Sequence, residues 1–130
     1  MKRIDLHIHT KKTDWDLDFN FDFDQLLKHV TDWDIDAIAI TNHNTFDLPQ
    51  YHEIRSKLSG KCVVFPGVEV SALDTHLLLI CDPTTADQLP GMCDALRGYL
   101  SSVEDSATLD ELEKAFPLLE DFIVIPHYEK

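Results

Sequence analysis

Five of the seven histidines in the 130-residue chain, His7, His9, His43, His76 and His127, fall at or just past the ends of segments that read as strands. Asp14 and Glu69 occupy the same kind of position. Imidazole mixed with carboxylate suits zinc, manganese or iron, whereas calcium and magnesium prefer all-oxygen cages. His7 and His9, two residues apart, lie on one face of a strand roughly 7 Å from each other, close enough to share an ion. That pair alone would also describe an exposed strand. The co-occurrence of all seven residues at strand ends is what points to a metal cluster. Such a cluster acidifies water and polarises a phosphoryl oxygen, so hydrolysis needs no serine or cysteine nucleophile.

These ligands need a scaffold that brings strand ends together. Arg3 to His9 alternates with period two, Ile4, Leu6 and Ile8 on an apolar face and Asp5, His7 and His9 on a ligand face. An aspartate-rich, aromatic loop from Asp14 to Asp24 follows. Leu26, Leu27 and Val30 then keep helical spacing, with Asp22 as the cap. Asp36 to Thr41 reads as a buried strand, and Leu48 to Leu58 as a helix ended by Gly60. Cys62–Phe65 and Val68–Val70 flank a break at Pro66-Gly67, and His76 opens an apolar run to Cys81. A helical pattern from Thr84 to Ser101 is interrupted at Pro90-Gly91. Thr108 and Glu111 form a capping box, and Phe122 to Ile125 is the last strand. Alternating strands and helices imply an α/β fold with a mostly parallel sheet, whose sites gather at the C-terminal strand ends. His29 and His52 fall inside helices, as solvated or satisfied residues.

The composition, 44% hydrophobic and 27% charged, is that of one globular domain. Eleven basic against 24 acidic residues give a net charge of −13, which opposes free-standing nucleic-acid binding. Divalent ions would reverse that field locally, so a phosphorylated substrate stays open. Cys62, Cys81 and Cys93 lack C-x-x-C spacing and read as small buried hydrophobes. With no apolar leader and no membrane-length apolar run, a cytoplasmic location is expected. Asp14, Asp16 and Asp18 open like a calcium loop, but Phe19 and Gln25 occupy the positions needing glycine and a bidentate glutamate.

Asp5-Leu-His-Ile-His-Thr10, Ile40-Thr-Asn-His43, Pro66-Gly-Val-Glu69 with His76, and Ile125-Pro-His127 resemble, in order, the motifs of the polymerase and histidinol phosphatase (PHP) domain. The resemblance implies a distorted seven-stranded TIM-like (β/α) barrel holding up to three divalent ions, zinc, manganese or iron. Carried over motif by motif, His7, His9 and Glu69 would hold the first ion and act in catalysis through its bound water. Asp14 and His43 would hold the second, and His76 and His127 the third, with Glu69 bridging first and third. The implied activity is hydrolysis of phosphomonoesters or phosphodiesters, on phosphorylated small molecules or on nucleotide and oligonucleotide ends.

The sequence departs from the family pattern in four places. Asn42 replaces the usual Asp, Thr13-Asp14-Trp15 replaces Ser-Asp-Gly, Tyr128 follows His127 where Pro is common, and the final Asp-x-His motif is absent. Residues 1–130 are therefore expected to be the N-terminal part of such a domain, an incomplete barrel in which the first two ions each lack a ligand. Two readings follow. One is a fragment of a longer enzyme that continues into a polymerase, nuclease-associated or ATPase region. The other is a degenerate module kept for structure or interaction. An incomplete barrel leaves an unpaired edge, so association with a second copy is also expected.

Overall fold

Three helices begin where the sequence supplies an oxygen to cap them. In this computed structural model, which describes residues 1–127, Asp22 caps α1 (Phe23–Asp32), Asp47 caps α2 (Leu48–Lys57), and Thr108 with Glu111 forms the full capping box of α4 (Leu109–Ala115). Gly60, at φ +80°, turns the chain after α2. The segment read as one interrupted helix is a 3-10 stretch, Pro83–Gln88, followed by α3 (Leu89–Arg97), with Pro90 in the first turn, where its missing N–H costs nothing.

The strands are β1 (Ile4–Ile8), β2 (Ala37–Ile40), β3 (Val63–Ala72), β4 (Thr75–Ile80) and β5 (Ile123–His127). They form one sheet in that order. β1, β2 and β3 run parallel, and β4 is antiparallel to both β3 and β5. The sheet is thus mixed rather than mostly parallel, a curled half-barrel of five strands among the described residues.

The expected break at Pro66-Gly67 does not occur, and β3 runs straight through it. Pro66 lies one residue before the ladder to β4 begins, and its carbonyl accepts the Cys81 N–H at 3.0 Å. A proline is tolerated at such a ladder end. Gly67 is required by the close approach of β4, because a Cβ there would sit 2.7 Å from the Leu79 carbonyl oxygen. The true turn is Leu73-Asp74, both at positive φ (56° and 58°), the two-residue form that matches strand twist. Loop residues hold it: Leu73 N–H donates to Ala107 O at 2.9 Å and Asp74 N–H to Ser106 Oγ at 2.8 Å.

β1 differs from a plain alternating strand. Asp5 pairs with Ile38 but Ile8 pairs with Ile40, so three steps on β1 match two on β2 and the register shifts by one. Asp5 consequently lies on the helix side, against His29 of α1, while Ile8 joins the core. The single ligand face expected for Asp5, His7 and His9 is corrected accordingly.

The helix side of the sheet carries the core: Ile38, Ile40, Val64, Val68 and Leu79 pack with Leu26, Tyr51, Ile54, Leu96 and Phe116. The concave side holds an apolar cavity of about 380 Å³ lined by Ile4, Leu6, Ala37, Phe65, Ile80 and Ile123, among others. Ile4 and Ile123 remain 62% and 60% exposed, where a closed barrel would have a packed interior. All three cysteines are buried and free, and burial pushes the Cys81 and Cys93 thiols up to about 12. No helix among the described residues is long and apolar enough to cross a membrane.

Candidate metal centre

Beyond Ile40 the chain of β2 stays extended and keeps pairing with β3. Glu69 N–H donates to Asn42 O at 2.9 Å and Asn44 N–H to Glu69 O at 2.8 Å, which sets His43 beside Glu69. Asn44 then turns in the left-handed region (φ 52°), a conformation asparagine tolerates. Its side chain accepts the Ser71 N–H at 2.9 Å and donates to Ser71 Oγ at 3.0 Å. Arg97 of α3 donates to the Asn44 carbonyl at 2.7 Å. Across the sheet, Ser71 pairs with His76 and His76 with His127, so the β3–β5 ladder delivers two more imidazoles to the same rim.

Glu69 is the hub, with its side chain only 1% exposed. Its Oε1 meets His7 Nε2 in a short contact and lies 3.4 Å from His9 Nε2. Its Oε2 lies 2.9 Å from His43 Nδ1 and 3.0 Å from His76 Nδ1. His7 and His9 face each other at 3.2 Å between their Nε2 atoms. Asp16 Oδ2 stands 3.5 Å from His43 Nε2 and 3.7 Å from His9 Nδ1. Among the described residues, three groups therefore bring their ligand atoms within 4.8 Å of one another: His7, His9 and Glu69; His9, Asp16 and His43; His43, Glu69 and His76.

These groups share members, and the sharing limits occupancy. A carboxylate offers two oxygens, so Glu69 can serve one group through Oε1 and another through Oε2. A neutral imidazole offers one lone pair, so His9 and His43 can each serve only one group at a time. The first and third groups are compatible; the Asp16 group competes with both.

The residues fit divalent ions on grounds internal to the structure. Glu69 Oε2 and His43 Nδ1 are buried and, though 2.9 Å apart, make no hydrogen bond, which leaves two buried polar atoms that a shared cation would satisfy. Burial would raise the Glu69 carboxyl, but contacts from His43, His7 and His9, with the charge of His43, hold it well below the usual carboxylate range. An ionised carboxylate this buried needs positive charge close by, and a divalent ion held by these residues would supply it.

Of the residues marked from sequence, His7, His9, His43, Glu69 and His76 converge here. His127 sits against His7, ring centroids 4.3 Å apart. Asp14 is exposed and outside the three groups. Asp16, which the sequence pattern showed only as part of an aspartate run, takes the place beside His9 and His43. A turn brings it there, with Asp16 N–H donating to Thr13 O at 3.0 Å and Thr13 Oγ1 to Asp16 Oδ2 at 3.3 Å. Nothing in the spacing of that run distinguishes Asp16 from its neighbours. His29 pairs with Asp5 at 2.9 Å, and His52 is exposed.

No family model matches the chain, and no curated protein matches it. Among solved structures, it resembles a proposed metal-dependent phosphoesterase from Bifidobacterium adolescentis, with a TM-score of 0.52 and 19% identity. The match covers 75% of this chain and 34% of that one, so this chain corresponds to about a third of its neighbour. What the two share is the fold.

Proposed function

We propose that this chain carries the metal centre of a divalent-metal-dependent phosphoesterase of PHP type, acting on phosphomonoesters or phosphodiesters in the cytoplasm. The observation that carries the reading is Glu69, a buried carboxylate with two histidine nitrogens facing each oxygen. His7, His9 and Glu69 Oε1 would hold one ion, and His43, His76 and Glu69 Oε2 another. Such ions polarise a phosphoryl oxygen and make water a nucleophile near neutral pH. The chain's own residues set the geometry: the β2–β3 bridge fixes His43 against Glu69, and the β3–β4 ladder fixes His76. With a net charge of −13, the surface favours small phosphorylated molecules or short nucleotide ends over duplex DNA. The competing reading, a degenerate module within a larger polymerase, nuclease or ATPase protein, draws on the open concave cavity, which other polypeptide could cover.

The test is elemental analysis of the purified chain and of His7→Ala and Glu69→Ala variants, with hydrolysis of a generic phosphodiester in manganese. Bound metal that falls in both variants, with turnover by the wild type, supports the enzyme. Metal without turnover selects a module whose metals are structural, and no metal uptake from supplied manganese or zinc overturns the metalloenzyme and leaves the scaffold or fragment reading in its place.

A further inference from the structure

Asp5 carries no ligand role in the site just described, yet its carboxylate sits where β1 changes face. Strict alternation from Asp5, which lies on the helix side opposite Ile38, would place Leu6 and Ile8 on the concave side and send His7 and His9 into the helices. The observed register avoids this. The two residues between Asp5 and Ile8, Leu6 and His7, stand opposite the single residue Ala39, and Ile8 returns to the helix side opposite Ile40. His9 then follows on the concave side. A bulge of this kind takes a backbone N–H out of its ladder. Here the N–H of His7 donates to Asp5 Oδ1 at 3.1 Å. The other carboxylate oxygen, Oδ2, is 2.9 Å from His29 Nε2, so α1 anchors the carboxylate from behind.

We infer that Asp5, held by His29, is a positioning residue that fixes the β1 bulge and thereby turns both His7 and His9 toward Glu69. The pair acts through the backbone of β1 and touches neither the ligand nitrogens nor a substrate. The inference rests on the metal-centre reading for its functional meaning, while the bulge itself is measurable in metal-free protein. Groups behind metal ligands that set their orientation typically change metal affinity by about ten- to a hundredfold.

The experiment compares Asp5→Ala, Asp5→Asn and His29→Gln with Thr108→Ala, a helix-cap change remote from the rim. Hydrogen exchange at the His7 amide is followed in metal-free protein, and cobalt affinity by titration of its visible absorption. Asp5→Ala is expected to speed exchange at His7 more than tenfold and to weaken cobalt binding about tenfold. Asp5→Asn, which keeps an acceptor for the His7 N–H, should stay within about threefold of wild type in both, and His29→Gln should fall between. Thr108→Ala should lower the melting temperature and leave both readouts unchanged. Unchanged His7 exchange in Asp5→Ala overturns the inference, as does cobalt loss that merely tracks melting temperature across all four variants. If Asp5→Ala does not fold, Asp5→Asn and His29→Gln decide: equal loss in both, with no rescue by Asn, also overturns it. Wild-type protein that protects the His7 amide but takes up no cobalt removes the metal reading and leaves the bulge assignment standing.

Discussion

His7 and His127 bring their rings to 4.3 Å between centroids, although β1 and β5 are the two edges of the sheet. Only a sheet curled until its edges face each other can do this. The curl is what converts ligands scattered from the first strand to the last into one rim. If the two imidazoles serve a common ion, their removal is coupled. Single changes His7→Ala and His127→Ala should each weaken zinc binding, and the double variant should lose less than the sum, with a coupling on the order of 1 kcal/mol by calorimetry. Strict additivity would place the two histidines on separate ions.

Asn42 binds backbone rather than metal. Its Oδ1 accepts the N–H groups of Thr10 at 2.7 Å and Lys11 at 3.0 Å, and its Nδ2 donates to Thr10 Oγ1 at 3.1 Å. It thus ties the chain after His9 to the chain before His43. Asn42→Ala leaves two donors without that acceptor in a buried place and should cost about 2 kcal/mol in urea unfolding. Asn42→Asp keeps both acceptor contacts and should cost less than half as much. Equal losses in the two variants would mean that the amide donor, not the acceptor, matters.

How far the sequence disclosed this site follows from which forces act locally. Helix starts at Asp22, Asp47 and Thr108 are written in single side chains that cap their own helices, so two of them, Asp22 and Thr108, were readable directly. The histidines and Glu69 were readable because chemistry-bearing residues recur at strand ends. The face of Asp5 was not, because a bulge depends on pairing with β2, which periodicity within β1 cannot report. The antiparallel course of β4 was equally hidden, since Leu73, which opens its turn ahead of Asp74, is a poor turn former held at positive φ by contacts from residues 106 and 107. Asp16 reached the rim through a turn closed on Thr13, again a contact rather than a spacing.

Acid sensitivity should pass through Asp47. Burial alone would raise its carboxyl, but the Lys11 ammonium at 2.8 Å and the Gln50 N–H outweigh that and hold it below its ordinary 3.8. A carboxyl lowered in the folded state stabilises it fully above the unfolded value, and that share is lost as pH falls through the native one. The stability difference between wild type and Asp47→Asn should therefore be constant above about pH 5 and shrink below about pH 4. A difference that grows on acidification would reverse the sign and assign the shift to burial.

Asp14 and Asp16, two residues apart, make opposing claims on one role. The motif resemblance selects Asp14, while geometry sets Asp16 Oδ2 at 3.5 Å from His43 Nε2 and leaves Asp14 exposed. If an ion lies between His43 and this loop, Asp16→Ala should weaken manganese binding at least about tenfold, or 1.4 kcal/mol, and Asp14→Ala should change it less than about twofold. If that ion takes Asp16 and His43 while His9 stays with Glu69 Oε1, removing Asp16 should leave the ion at Glu69 Oε1 in place, so the loss should appear in one of two binding phases. Loss of both phases would show that the loop closes the whole rim, and a larger effect of Asp14→Ala would show that the loop rearranges when metal binds, exchanging one carboxylate for the other.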